Sequence, residues 1–206
     1  MSTEPQNLKF DAETIELFVW VDPDSHNMNV VGQFCSMPHT EATKLLPFLP
    51  NPEYKDVFVS PFSSGIMRPY IAESNLELAR SGRFANYPSR LSAIFLLPTE
   101  AEAMKYRDRY PNHVGNRVLK SAKSKGQYLF SRHDASWIDI LRAAHSLDDE
   151  TITSVANAYW QGLKAESFEL QSCGKAWTST PITEILYLGN IEFKEPSVSS
   201  TATPNS

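Results

Sequence analysis

Glycine spacing limits the ways in which this chain can hold a nucleotide. The sequence contains eight glycines, and no two of them lie closer together than eleven positions. A Walker loop requires G-x-x-x-x-G-K, and a Rossmann fingerprint requires G-x-G-x-x-G. The chain contains neither motif, so any nucleotide must be held without a glycine-rich phosphate loop.

Composition and charge exclude several broad classes of protein. With 41% apolar and 11% aromatic residues, the chain has the composition of a globular protein. A net charge of −5 argues against a dedicated nucleic-acid-binding protein, although it leaves a local basic patch possible. The first eleven residues lack the apolar region of a secretory signal, so none is expected there, and no apolar segment of the sequence is long enough to span a membrane. We therefore expect a cytoplasmic protein without a membrane association.

The two cysteines and five histidines do not form a recognisable metal or redox motif. Cys35 and Cys173 lack the spacing of metal ligands, which favours two free thiols in a reducing compartment, with one long-range disulfide as the alternative. No pair of histidines has the spacing of a zinc site. The sequence therefore predicts no metal site.

The chain is organised as one domain between two polar ends. Residues 1–10 are polar and are expected to form a flexible tail. Residues 196–206 are rich in serine, threonine and proline and are expected to be disordered. No linker composition interrupts residues 11–195, which we predict to be a single domain.

Local patterns predict an α+β domain. Thr99 and Glu102 form a capping box that begins a helix over residues 100–109. Alternating or apolar segments predict strands near both ends of the domain, with helices between them. Other expected helical features are N-caps at Asp134 and at Asp148 or Asp149, a helix end at Gly162, and segments 40–49 and 75–82. Single strands are expected at 14–21, 28–34, 56–60 and 91–97. Two hairpins are also expected: one joins strands at 118 and 128–130 around a turn at 124–126, and the other joins strands at 183–188 and 191–193 around a turn at 189–190.

A basic cluster lies on the hairpin that is predicted around residues 124–126. Its cations are Arg117, Lys120, Lys123 and Lys125. They are suited to phosphate contacts, but a hairpin whose cations only face water is the preferred interpretation.

Three segments carry residues that could do chemistry. Arg90 precedes an apolar strand, where a buried charge requires a carboxylate or phosphate partner. Tyr159 and Trp160 end a helix, where they form either a ledge for a flat ring or plain core packing. Glu184 shares a strand face with Leu186, which places it either at a sheet edge in water or in a cleft.

The order of these segments resembles a known family. E-x-x-R (Glu77, Arg80) is followed by P-S-R-L-S-x-I-F (88–95), A-x-A-Y-W-x-G (156–162) and E-I-L-Y-L-G-x-I (184–191). This order, over about residues 73–195, resembles an uncharacterised, mostly bacterial family that is similar to a branch of the ADP-ribosyltransferase superfamily. The resemblance implies split antiparallel sheets with flanking helices around a cleft for NAD.

The resemblance also implies roles for individual residues. Glu184 is the implied catalytic glutamate, which binds the 2′-hydroxyl of the nicotinamide ribose and stabilises positive charge as nicotinamide departs. The implied cofactor-binding residues are Arg90 and Arg80 on the pyrophosphate, Ser89 beside them, and Tyr159 and Trp160 around the nicotinamide. The implied activity is NAD-dependent transfer of ADP-ribose to a macromolecular target, by preference a protein, with nucleic acid left open.

The sequence departs from the family pattern at two places. Segment 57–60 lacks the histidine or arginine that many relatives carry on an early strand. Ile182 stands where members that modify arginine usually have a second acid. Arginine-directed transfer is therefore not expected, and the alternative is a catalytically inactive member that acts as a protein- or nucleotide-binding effector.

Overall fold

An antiparallel sheet flanked by helices forms the fold, as seen in a computed structural model. The structure describes residues 7–25, 33–36, 61–142, 147–167, 169–170, 175–176 and 180–193. The strands are β1 Leu8–Asp11, β2 Glu16–Val21, β3 Gln33–Cys35, β4 Ile94–Leu96, β5 Val118–Asp134, β6 Glu169–Leu170, β7 Lys175–Ala176 and β8 Thr183–Phe193. The helices are α1 Pro61–Arg83, α2 Glu100–Arg109, α3 Pro111–Val114, α4 Ser136–Arg142 and α5 Asp149–Trp160. The predicted α+β class with flanking helices is confirmed.

Two long strands, β5 and β8, form the centre of a six-stranded sheet. β1 and β2 pair with β5, whereas β3 and β4 pair with β8, and all these pairs are antiparallel. Phe18 and Leu97 exchange two backbone hydrogen bonds of 2.9 and 2.8 Å, which join β2 to the residue after β4. β6 and β7 form a separate two-stranded sheet.

The two predicted hairpins are wrong, because β5 and β8 each run straight through the expected turn. The register between them shifts between Lys125 and Leu129, close to Gly126, which has a φ of 73°. Gly189 has a φ of 143° and lies within β8. Glycines with positive φ suit an irregularity inside a paired strand as well as a turn. The predicted basic hairpin is therefore part of a paired strand, and its Lys125 lies 3.6 Å from Glu192.

The helix ends follow the predicted caps. Thr99 Oγ1 accepts a hydrogen bond from Glu102 N at 3.1 Å, and α2 covers the predicted 100–109. Asp134 Oδ1 accepts from Ser136 N at 3.0 Å, and Asp148 Oδ1 accepts from Thr151 N at 2.6 Å. The N–H of Gly162 follows α5 and donates to Tyr159 O. None of the described helices is long and apolar enough to cross a membrane.

Several other expectations meet the structure only in part. β2 buries Leu17, Val19 and Val21 as its pattern predicts, whereas β4 is shorter than the predicted 91–97. Residues 8–10, within the expected N-terminal tail, belong to β1. α1 extends well before the predicted segment 75–82. Of the strand predicted at 28–34, residues 33–34 belong to β3, and residues 28–32 lie outside the described residues. The segments predicted at 40–49 and 56–60, the tail 196–206 and Cys173 also lie outside them.

The alternation of side chains along β8 directs Glu184 towards the helices. Ile185 and Tyr187 belong to an apolar cluster on one face of the sheet. Leu186 belongs to the cluster on the other face, together with residues of α1, α4 and α5. Because Glu184 is two positions before Leu186, its side chain lies on this helix-covered face. His133, which pairs directly with Glu184 across β5 and β8, shares that face.

Candidate functional site

A cavity of about 510 Å³ lies between the sheet and the helices. Small-molecule sites usually have volumes of roughly 300–1,000 Å³. Its lining side chains come from β2, β3, β4 and β8, from α1 to α4 and from the loops between these elements. Of the residues that the sequence assigns to the site, Arg90 and Glu184 line this cavity.

Arg90 is held between two carboxylates, and we call Glu73, Arg90 and Glu184 together the floor of the cavity. Arg90 Nε and Nη2 donate to the two carboxylate oxygens of Glu73 on α1, at 2.7 and 3.0 Å. Arg90 Nη1 donates to Glu184 Oε1 and, at 2.8 Å, to the hydroxyl of Tyr159. The guanidinium also lies 4.7 Å from the centre of the Phe95 ring. Carboxylates thus supply the partner that a buried Arg90 requires.

Glu184 lies in the cleft rather than at a sheet edge. Its side chain is 4% exposed, and its Oε1 accepts hydrogen bonds from Arg90 and, at 2.6 Å, from the Tyr159 hydroxyl. Among the described residues, no donor contacts its second oxygen, Oε2. Burial raises the pKa of Glu184, and the neighbouring charge of Arg90 opposes this increase. One carboxylate oxygen is therefore fixed in place while the other remains available to a ligand.

His133 holds Tyr159 in position from behind. The two rings are stacked, with centres 4.4 Å apart. Nδ1 of His133 lies 2.8 Å from the carbonyl oxygen of Tyr159, and Nε2 lies 2.7 Å from Ser131 Oγ. Burial lowers the pKa of His133 to about 3, so the ring is neutral near pH 7. We infer that Nδ1 donates to the carbonyl and Nε2 accepts from the serine, because a carbonyl oxygen can only accept.

Arg80 and Ser89 form a separate buried cluster with Glu77. Arg80 Nη2 donates to Glu77 Oε1 at 2.7 Å, and Ser89 Oγ donates to Glu77 Oε2, also at 2.7 Å. Arg80 Nη1 donates to the carbonyl oxygens of Ala85 and Tyr87 in the loop before β4. These bonds fix the loop that carries Arg90. Neither Arg80 nor Ser89 is among the cavity-lining residues, and their role in cofactor binding stays a prediction.

Tyr159 and Trp160 point in different directions from the end of α5. Tyr159 is fully buried beneath the floor, where it contacts Arg90 and Glu184. Trp160 is also fully buried, its indole N–H donates to Leu76 O at 2.8 Å, and its ring packs near Phe84. Trp160 therefore fits the core-packing interpretation, and a contact between either ring and nicotinamide stays a prediction.

Glu73 is a cavity residue that was not predicted from the sequence, although a signal for it exists. Glu73 stands four positions before Glu77 and seven before Arg80 on α1. Residues with these spacings share one face of a helix. The E-x-x-R pair therefore indicated which face of α1 is buried, and Glu73 extends that face towards the cavity.

Five further cavity residues also lie outside the predicted site, and we call them the outer wall. They lie on α2, the turn after it, α3, the segment before β5 and α4. The outer wall consists of Tyr106, Tyr110, His113, Arg117 and Arg142. The rings of Tyr106 and Tyr110 lie 4.8 Å apart, and His113 lies 5.8 Å from Tyr106. Tyr106 and Tyr110 are four positions apart at the end of α2, a spacing that indicates a shared face, whereas no local signal joins Arg117 to Arg142.

No three His, Cys, Asp or Glu side chains converge as metal ligands within the part of the chain that the structure describes. Cys35 is exposed there as a free thiol on β3.

Comparison with known proteins identifies a family but no activity. The sequence model of a family described as a protein of unknown function (DUF2441) matches residues 5–173. Arg90 and Tyr159 lie within the matched region, whereas Glu184 follows it. The comparison with curated proteins found no match. Because the match covers most of the chain, this protein belongs to the DUF2441 family of proteins of unknown function.

Proposed function

We propose that this protein is an ADP-ribosyltransferase-like enzyme that binds NAD in the cavity and transfers ADP-ribose to a macromolecular target. The observation that carries the proposal is the meeting of Arg90, Tyr159 and Glu184 at one carboxylate oxygen on the cavity floor. These residues stand in the order that the family resemblance implies. They come from a loop, a helix and a strand that are far apart in sequence.

The floor suits the end of NAD that reacts. NAD supplies a ribose bonded to nicotinamide, and transfer breaks this bond, leaves the electron pair on nicotinamide and joins the ribose to a target group that gives up a proton. Glu184 Oε2 is available to accept a hydrogen bond from a ribose hydroxyl. With both carboxylates ionised, Glu73 and Glu184 outweigh the single charge of Arg90. Such a site stabilises positive charge that develops on the ribose.

Arg90 and Tyr159 act on this reaction through Glu184. Arg90 donates to both carboxylates, and Tyr159 donates to the oxygen that Arg90 also contacts. Their bonds fix the carboxylate before a ligand arrives, so little reorganisation is needed during the reaction. We assign them as positioning residues for Glu184.

One observation favours a second candidate, a catalytically inactive effector that binds a protein or a nucleotide. Glu184 is already paired with Arg90 in a buried network, and buried ion pairs also serve purely structural purposes. In that case the cavity still takes a ligand, but Glu184 has no reaction to stabilise.

Transfer from labelled NAD separates the two candidates. The purified protein is incubated with NAD labelled on the adenylate and with a cell lysate, and both label on macromolecules and free nicotinamide are measured. We expect Glu184→Gln to lower both signals about 100-fold, which is typical for loss of one charge-stabilising group. Glu192→Gln, on the same strand but half-exposed beside Lys125, is the matched control and should leave both unchanged.

The same experiment identifies the class of target. Protease removes the label from a modified protein, and nuclease removes it from a modified nucleic acid. If wild-type protein binds NAD but neither releases nicotinamide nor transfers label, the inactive effector is the correct alternative. If Glu184→Gln matches the wild type in both signals, the assigned role of Glu184 is wrong.

A further inference from the structure

The two ends of the cavity carry opposite charges. At the floor, two carboxylates surround Arg90, and the side chains of Arg90 and Glu184 are 7% and 4% exposed. The outer wall has the cations Arg117 and Arg142, which are more exposed. Asp139 is the carboxylate that pairs with this end, through Arg142. With all of these groups ionised, the floor has a net negative charge and the outer wall a net positive charge.

Arg90 has little capacity left for a phosphate. An arginine has five N–H donors, and four of those of Arg90 are used by Glu73, Glu184 and Tyr159. A phosphate beside Arg90 would also lie beside two carboxylates and be repelled by them. The cation that the family resemblance assigns to pyrophosphate is thus poorly placed to hold it.

Arg142 is both oriented and incompletely bonded. Its Nη1 donates to Asp139 Oδ1 at 3.2 Å, and Asp139 Oδ2 accepts from the Tyr110 hydroxyl at 2.6 Å. The guanidinium lies 5.9 Å from the centre of the Tyr110 ring. Its Nε is buried without a hydrogen-bond partner among the described residues. These contacts hold the guanidinium at the cavity, and its Nη2 forms no hydrogen bond with the described residues, which leaves this donor to a ligand.

Arg117 adds a second cation on the same wall. Its Nη1 donates to the carbonyl oxygen of His113, and it forms no ion pair with any carboxylate in the described part of the chain. Arg117, Arg142 and Arg90 all act to lower the pKa of His113, although burial has the larger effect. The three guanidinium groups are therefore close enough to this wall to influence the same ring.

We propose that Arg117 and Arg142 bind the pyrophosphate of NAD, while the nicotinamide riboside lies at the floor. This inference rests on the proposed function for the identity of the ligand. NAD has a positively charged nicotinamide ring and a doubly negative pyrophosphate, so this orientation places each charge of the ligand beside the opposite charge of the cavity. Tyr106, on the outer wall, is close enough to the floor for Glu184 and Arg90 as well as Arg117 and Arg142 to affect its phenol, whose pKa burial raises to about 12.

Binding of ADP-ribose to the purified protein tests this orientation without any reaction. The affinity is measured by calorimetry for the wild type, Arg117→Gln, Arg142→Gln and the double variant. We expect each single variant to weaken binding several-fold and the double variant to weaken it by about ten-fold or more. Arg107→Gln on α2 is the matched control, because this arginine pairs with Asp108 at the surface, and it should bind like the wild type. Thermal unfolding verifies that each variant is folded. If Arg142→Gln does not fold, Arg117→Gln still tests the orientation, because the Arg117 side chain is exposed and its replacement should not disturb the core.

The outcomes separate this inference from the proposed function. If the double variant retains wild-type affinity, or if the wild type does not bind ADP-ribose, the orientation is wrong even where NAD turnover depends on Glu184. If ADP-ribose binding depends on both arginines but NAD is never cleaved, the inference holds and the proposed enzyme activity fails. Inorganic pyrophosphate should compete with ADP-ribose in the wild type, and absence of competition would contradict a phosphate site.

Discussion

Two buried tyrosine hydroxyls show how the surroundings of a residue determine its contribution to the free energy of unfolding. Tyr159 Oη donates to Glu184 at 2.6 Å and accepts from Arg90 at 2.8 Å. Tyr128 Oη is buried without a hydrogen-bond partner among the described residues. Tyr159→Phe should lower the free energy of unfolding by about 1–3 kcal/mol, because Arg90 and Glu184 each lose one buried hydrogen bond to the hydroxyl. Tyr128→Phe removes only an unpaired hydroxyl and should leave the stability unchanged or increase it.

Urea unfolding of the two variants and the wild type measures this difference. Each substitution removes the same atom from the same type of residue, so the two variants control for each other. Equal losses of stability would contradict the assignment of Tyr159 to the network around Glu184.

Single residues also show which parts of the site could be predicted from the sequence. Arg90 and Glu184 could be found because each is a charged residue in an apolar strand context, where a charge requires a reason. Glu73 and Arg142 lie on helices among ordinary polar residues, where Glu73 has only its helical spacing from Glu77 and Arg80 as a local signal and Arg142 has none. They belong to the site only because α1 and α4 contact the same cavity in the folded chain.

At the scale of secondary-structure elements, the helices were more predictable than the strands. The ends of α2 and α5 depend on caps such as Thr99 and Asp148, whose hydrogen bonds span three residues. β5 and β8 depend on each other along most of their length, and this pairing joins residues that are distant in sequence. The local sequence at Gly189 therefore predicts a turn, whereas the pairing of β8 with its neighbouring strands keeps the chain extended there.

Two glycines in different elements should respond in opposite ways to alanine. Gly189 has a φ of 143°, and a Cβ there would lie 3.0 Å from Tyr128 Cβ and 3.2 Å from Gln127 O. Gly82 lies in the last turn of α1, with no neighbour within 4 Å of an added Cβ. We expect Gly189→Ala to destabilise the protein by about 1–3 kcal/mol, through strain and close contact. Gly82→Ala should stabilise it by about 0.5–1 kcal/mol, because alanine favours helix.

Thermal and urea unfolding of both glycine variants measure these effects. If Gly189→Ala increased the stability of the protein, this result would contradict a β8 that continues through Gly189, since a flexible surface turn would accept alanine more readily. Far-ultraviolet circular dichroism of Gly82→Ala verifies that the helix content is retained.

At the scale of the whole molecule, one buried imidazole makes the free energy of unfolding depend on pH. His133 on β5 packs against the end of α5, and burial lowers its pKa from 6.5 to about 3. Between these values the unfolded chain binds a proton at this residue that the folded protein does not bind. Stability from the neutral ring is therefore complete above about pH 6.5 and is lost as the pH falls towards 3.

The free energy of unfolding is measured against pH for the wild type and for His133→Gln. The difference between the slopes of the two curves isolates the effect of His133 from that of all other titrating groups. Each pH unit in this window should cost about 1.4 kcal/mol through His133. Between pH 6.5 and 4.5, we thus expect the free energy of unfolding of the wild type to fall by about 2 kcal/mol more than that of His133→Gln. Urea unfolding at several pH values gives both curves, and parallel curves would contradict a neutral buried His133.

A nuclear magnetic resonance titration provides a second measurement, in which the His133 ring of the folded protein should show no protonation between pH 7 and 4.5. A neutral ring over that range keeps its stacking contact with Tyr159, so this contact should persist until the whole fold unfolds in acid.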